Sequence, residues 1–304
     1  MMLGSFYFKN KAKQALSGNW QTALLVVFFA GVLGTVLQVA QLLMLPNQAE
    51  YLSVETYLQA AMEVPQSTWN SLLVLSLVTL LVSPALSLGR YHYFVERVRG
   101  NELGFQGLLS RMRYFGKALW LSLCMAVRIF LWSLLLIVPG IIAAIRYSMA
   151  PYYLAENSDI SAGEAINRSK NAMANMKMSY FSLSLSFLGW TLAATLLQTL
   201  LVDVNYVLGT VAGLFAQVWV TTYMEAACAV FFLTVSQEKG IEKAHREMFS
   251  QFEQMGMDPD TLDEMKTRAR MQEDAREKMS KDLEDMYYQA YNSSYDDDDD
   301  DKLD

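Results

Sequence analysis

Three charged residues stand inside otherwise uncharged apolar runs: Arg128, Arg146 and Glu225. Hydrocarbon cannot solvate an ionised side chain, so such groups pair, line water or reach the surface, and each is a candidate for function. With Tyr147 and Tyr223 they supply cations, an anion and phenolic hydroxyls, which is the set that lines a polar cavity or an ion path. The same residues also suit a buried ion pair that fixes helix packing, with Arg146 reaching outward along its aliphatic stem. Counted from Pro139-Gly140 at about 1.5 Å per helical residue, Arg128 lies roughly 17 Å deep and Arg146 roughly 10 Å. Glu225 falls about 18 residues into the last apolar run, so it is expected to meet Arg128 across the bundle.

Other chemistry finds little support in the residue types. The two histidines, His92 and His245, are far apart, and no H-x-x-x-H pair, cysteine cluster or glycine-rich phosphate loop accompanies them. His92 between Tyr91 and Tyr93 reads as an interfacial anchor. Cys124 and Cys228 lie within apolar runs and read as small fillers. No catalytic residue, metal ligand or cofactor is therefore expected. Nucleic acid is not expected either, because a strongly acidic C-terminal region would repel a polyanion.

The elements that must position these residues are membrane spans. The 304 residues are 53% hydrophobic and 18% charged, and the apolar residues come in long blocks. A hydrocarbon core of about 30 Å takes roughly 20 helical residues. Candidate spans are 20–45, 69–88, 118–138, 141–155, 180–202 and 207–235, with Pro139-Gly140 read as a turn and Pro84 as a kink. Lysines precede the first run, which is too long for a cleaved signal peptide and is read as a retained span. The fold class is an all-α polytopic bundle with six spans, a cytoplasmic amphipathic helix and an acidic tail.

Charge placement orients this layout. With six spans, residues 1–19, 89–117, 156–179 and the tail share one side, and all Lys and Arg outside the spans lie there. The other side holds Glu50, Glu55, Glu63 and Asp203 and has no basic residue. By the positive-inside rule the first side is cytoplasmic, with both termini. Reading 118–155 as one kinked helix gives five spans and separates the termini. Gly209-x-x-x-Gly213 and Ala30-x-x-x-Gly34 allow close helix approach, within the chain or between copies.

Between the fourth and fifth spans lies a polar segment with its own start signal. Ser161 and Glu164 form a capping-box pair, after which Ala162, Ala165, Ile166, Ser169, Met173 and Met176 recur at helical spacing. The helix either lies on the membrane surface, with Arg168, Lys170 and Lys177 at anionic headgroups, or packs as a connector on neighbouring loops.

The stretch "IVPGIIAAIRYSMAPYYLAENSDISAGEAINRSKNAM" at 137–173 resembles the bacterial membrane family catalogued as domain of unknown function 975. "KNKAKQALSGNW" at 9–20, "LSFLGW" at 185–190 and "TTYMEAACAVFF" at 221–232 are similar to further blocks of that family, so the likeness runs from 9 to about 235. Where the family usually has Pro-Tyr, this chain has Thr222-Tyr223, which implies a weaker kink. A looser likeness links the layout to the membrane domain found beside glycerophosphodiester phosphodiesterases. The resemblance implies a bacterial plasma-membrane protein and no assigned reaction.

The tail after residue 235 carries a net charge of −11 against +4 for the preceding residues. Residues 236–254 and 261–291 are rich in helix formers and are separated by Gly256 and Pro259. Asp296–Lys302 is either a native acidic end or a cloning remnant. The functional expectation is a non-enzymatic module whose partners are membrane lipids, a second copy or another membrane protein; the alternative is a small transporter or channel.

Overall fold

The computed structural model describes residues 4–46, 53–255 and 257–268, with scattered positions from there to 289; Asp296–Lys302 and Glu50 lie outside them. Among the described residues there is no strand. The helices are α1 (Ser5–Leu16), α2 (Trp20–Met44), α3 (Val54–Glu63), α4 (Gln66–Val98), α5 (Gln106–Leu109), α6 (Phe115–Leu135), α7 (Ile137–Tyr147), α8 (Ala150–Glu156), α9 (Ala162–Ala172), α10 (Lys177–Val204) and α11 (Tyr206–Gln254). Five stretches are long and apolar enough to cross a membrane: Trp20–Gln41, Gln66–Val98, Gln106–Leu135, Lys177–Val202 and Leu208–Gln237. The chain is an all-α bundle built on them.

The expected turn at Pro139-Gly140 is displaced. The chain reverses at Leu136, whose backbone is extended (φ −164°, ψ 155°), and Pro139 and Gly140 sit in the first turn of α7. A first-turn proline gives up an N–H that has no intrahelical acceptor anyway. Gly140 lies directly against Ser133 of α6, and a Cβ there would overlap the Ser133 side chain. The span expected over 141–155 is likewise two helices. α7 ends at Tyr147, and Pro151 stands in the first turn of α8 for the same reason that Pro139 opens α7. Lys117 Nζ donates to the Ser158 carbonyl at 2.7 Å, so α7 and α8 together carry the chain back to the start of α6. Residues 118–155 are thus a hairpin, and a single kinked helix through this stretch is ruled out.

α4 also differs from expectation. It passes through Pro84 and Gly89 and continues to Val98, because from Arg90 onward no stop signal occurs before Gly100, which takes φ +90°. Arg90, expected in a loop, therefore stands on a helix that packs against α8 and α11. The α10–α11 connection is tight: Asn205 is extended and its Oδ1 accepts from the Leu208 N–H at 3.0 Å. Gly209 and Gly213 face Val202 and Gln198, so this small-residue motif closes the α10–α11 hairpin. Gly34 of the other motif meets nothing within 4 Å.

α11 is the central post. Glu225 and every residue from Ala226 to Phe232 are buried, as befits a helix enclosed on all sides. The small run Ala226, Ala227, Cys228 and Ala229 lets its neighbours approach closely. α11 continues unbroken past residue 235 to Gln254, so no helix break marks the start of the tail. A new helical stretch follows at 259–268, where Asp258 Oδ2 accepts from the Thr261 N–H at 3.2 Å.

Burial is uneven along the bundle. Around residues 85–95, 143–173 and 220–235 the packing is dense, whereas Leu73, Leu80, Leu134, Leu192, Leu196 and Phe215 are exposed. One end is a closed core and the other a set of apolar helices facing outward.

Candidate functional site

Glu225 is the buried carboxylate at the centre of the packed end, and its partner is Arg90. Arg90 Nη2 approaches Glu225 Oε1 at 3.1 Å, with the two side chains 17% and 8% exposed. Tyr152 Oη donates to Glu225 Oε2 at 3.0 Å, so both carboxylate oxygens are engaged. Three helices supply the three groups: α4 brings Arg90, α8 brings Tyr152 and α11 brings Glu225. Aromatic rings enclose them. Tyr91 and Tyr152 have centroids 4.6 Å apart, and Tyr152 stacks on Phe232 at 5.4 Å. The Arg90 guanidinium lies 5.4 Å from the Tyr91 ring, while its Nε has no hydrogen-bond partner among the described residues. A charge so enclosed is strongly coupled to its counter-ion, and the unit can act as a fastener of three helices.

The expected meeting of Glu225 with Arg128 does not occur. Arg128 is exposed on α6, with no ion pair or hydrogen bond among the described residues. Arg146 is half-buried, and its contribution is its carbonyl, which accepts from Ser169 Oγ at 2.8 Å. Tyr147 is buried in an apolar cluster with Ala143, Ala150 and Ile166. Tyr223 Oη donates to the Lys9 carbonyl at 3.1 Å, tying α11 to α1. The five candidates lie on three helices and do not converge on one site. Depth alone could not reveal this, because azimuth around each helix decides which side chains face one another. Two residues of the site were missed, Arg90 and Tyr152, and Arg90 had one signal in the sequence: "RYHYFVERVRG" has no helix breaker before its final glycine.

Around this centre the basic residues near the ends of α4 and α6 serve as fasteners. Arg97 Nε donates to the Ala15 carbonyl at 3.0 Å, and Arg111 Nη2 lies 3.2 Å from His92 Nδ1. Arg99 bridges Glu96 and Glu156; burial opposes its charge, yet the two carboxylates raise its pKa above the ordinary value. Lys9 Nζ donates to the Ser186 carbonyl at 3.2 Å and lies over Phe187, and burial lowers its pKa. A cleft of about 680 Å³ opens between α1, the end of α4 and α11, lined by Lys11, Arg97, Arg99, Glu102 and Gln237 among others. Its lining includes none of Arg90, Arg128, Arg146 or Glu225.

α9 begins as the capping pair predicts on one side: Ser161 Oγ accepts from the Glu164 N–H at 3.1 Å. The Glu164 side chain turns instead to Arg168, at 2.6 Å. The apolar stripe from Ala162 through Met176 is buried against protein, and Lys170 and Lys177 are half-buried. That packing favours the connector over the surface-lying helix.

The signature residues at 137–173 thus build α7, α8 and α9, the segment that closes on Glu225. Residues 133–239 match the family described as Protein of unknown function (DUF975). The match takes in the α6–α7 turn, Tyr152, α9 and Glu225, and leaves Arg90 outside. The DUF975 likeness is shown over about a third of the chain, a narrower range than the blocks from residue 9 onward suggest. No curated protein matches the chain, and no solved structure does. The looser likeness to the phosphodiesterase-associated membrane domain therefore rests on sequence layout.

Proposed function

We propose that this chain is a non-enzymatic module of a bacterial plasma membrane, acting through lipids or membrane partners. The observation that carries the reading is the closed state of its buried charge. Both oxygens of Glu225 are occupied by Arg90 and Tyr152 under aromatic cover, and Arg128 and Arg146 lie elsewhere. An ion path needs several polar groups facing one hydrated volume; a paired charge between three helices instead fixes their arrangement. Support for the orientation comes from the contacts of Arg97, Arg99, Arg111 and Lys117, which gather the basic loops at the packed end. That end, with both termini, faces the cytoplasm and anionic headgroups.

The test is extraction and flux. The protein is expected to stay with membranes through alkaline carbonate and leave only with detergent. Proteoliposomes holding it are expected to pass ions and small solutes no faster than empty vesicles. Flux that disappears on Glu225→Gln substitution would establish the transporter reading instead.

A further inference from the structure

α6 carries a ladder of residues at alternating spacings of three and four: Ala118, Leu121, Met125, Arg128, Trp132 and Leu135. At this spacing all six share one face, the seam geometry of packed helices. Burial changes steadily along it. Ala118 and Leu121 are 3% and 2% exposed, Met125 is half-buried, Arg128 is exposed, and Trp132 and Leu135 are 44% and 69% exposed. The lower half of the seam is filled by this chain's own α4, α7, α8 and α9. The upper half continues the same face, with Arg128, Trp132 and Leu135 exposed among the described residues. In its middle stands an arginine without a partner among the described residues.

We infer that the upper half of this seam docks a membrane-spanning helix of another protein, one that carries an Asp or Glu at the level of Arg128. The inference rests on the membrane reading proposed above. Charge selects the occupant. An arginine on a lipid-facing helix costs several kcal/mol unless paired, and the seam's other exposed members are apolar. A second copy related by a two-fold axis would bring this arginine toward its own counterpart, like charge against like. Headgroup phosphate is distant. Arg128 is 8 residues from Leu136 and 13 from Phe115, or roughly 12 Å and 20 Å along the helix. A carboxylate within the bilayer satisfies the guanidinium bidentately and sets the register of the incoming helix.

The experiment uses the full chain in proteoliposomes with synthetic host helices of leucine and alanine, flanked by lysines and carrying one central Glu, Gln or Lys. Energy transfer from labelled protein to labelled peptide reads association. The Glu helix is expected to bind roughly tenfold more tightly than the Gln helix. Arg128→Gln should abolish that preference, and Arg128→Glu should transfer it to the Lys helix, with unchanged thermal midpoints in both variants. Equal binding of Glu and Gln helices would overturn the inference, as would a preference that survives Arg128→Gln. An Arg128-dependent dimer in single-molecule photobleaching would overturn it in favour of a second copy. Failure of the protein to enter vesicles would overturn the membrane reading and this inference with it, whereas entry without the Glu preference sinks this inference alone.

Discussion

At the residue scale the dominant feature is one buried ion pair whose halves lie far apart in sequence. Removing one half leaves the other charge in a low-dielectric site, and breaking such pairs typically costs about 3–5 kcal/mol. Glu225→Leu is therefore expected to lower the thermal midpoint in detergent markedly. The double change Arg90→Met with Glu225→Leu should recover most of the loss, because the remaining environment of Tyr91, Tyr152 and Phe232 is apolar and aromatic. A double variant no more stable than the single one would show that the pair contributes more than charge balance. The sequence marked Glu225 as a candidate, since a carboxylate inside an apolar run is visible by inspection. It could not mark Arg90, because an arginine at a span's edge is indistinguishable from a topogenic one until the helix is seen to continue.

At the element scale, close helix approach decides the architecture. Gly140 against Ser133 and Gly209 against Val202 leave no room for a side chain at either hairpin. Gly209→Leu is expected to force α10 and α11 apart, and overpacking of this kind costs about 1–3 kcal/mol. Gly34→Leu, which faces open space, should be tolerated; comparing the two midpoints checks the assignment. Ser161→Ala removes the side-chain acceptor at the start of α9 and should cost about 1 kcal/mol. Composition made the long helices legible, and the Ser161–Glu164 spacing made α9 legible. The displaced turn was not, because Pro-Gly reads as a turn in isolation, while a proline in a helix's first turn is equally well satisfied.

At the scale of the whole molecule, packing is concentrated at the end that holds α8, α9 and the last turns of α4, and apolar side chains face outward at the other. The membrane reading predicts which surfaces water-soluble reagents reach. With Cys124 and Cys228 replaced by alanine, a cysteine at position 168 should resist an impermeant maleimide in intact cells and react after permeabilisation. A cysteine at position 67, at the opposite end of α4 from Arg97, should react in intact cells. Reaction at 168 from outside would invert the orientation and move the acidic region with it.

Hydrophobic run length was enough to determine an all-helical bundle of long apolar helices, because transfer of apolar side chains and backbone amides into hydrocarbon depends on local composition alone. Pairing depended on tertiary structure. Whether Glu225 meets Arg90 or Arg128, and whether α9 buries its stripe in lipid or in protein, turns on the rotation and tilt of helices separated by many residues. Those angles are set by side-chain interdigitation between elements, which no single segment encodes.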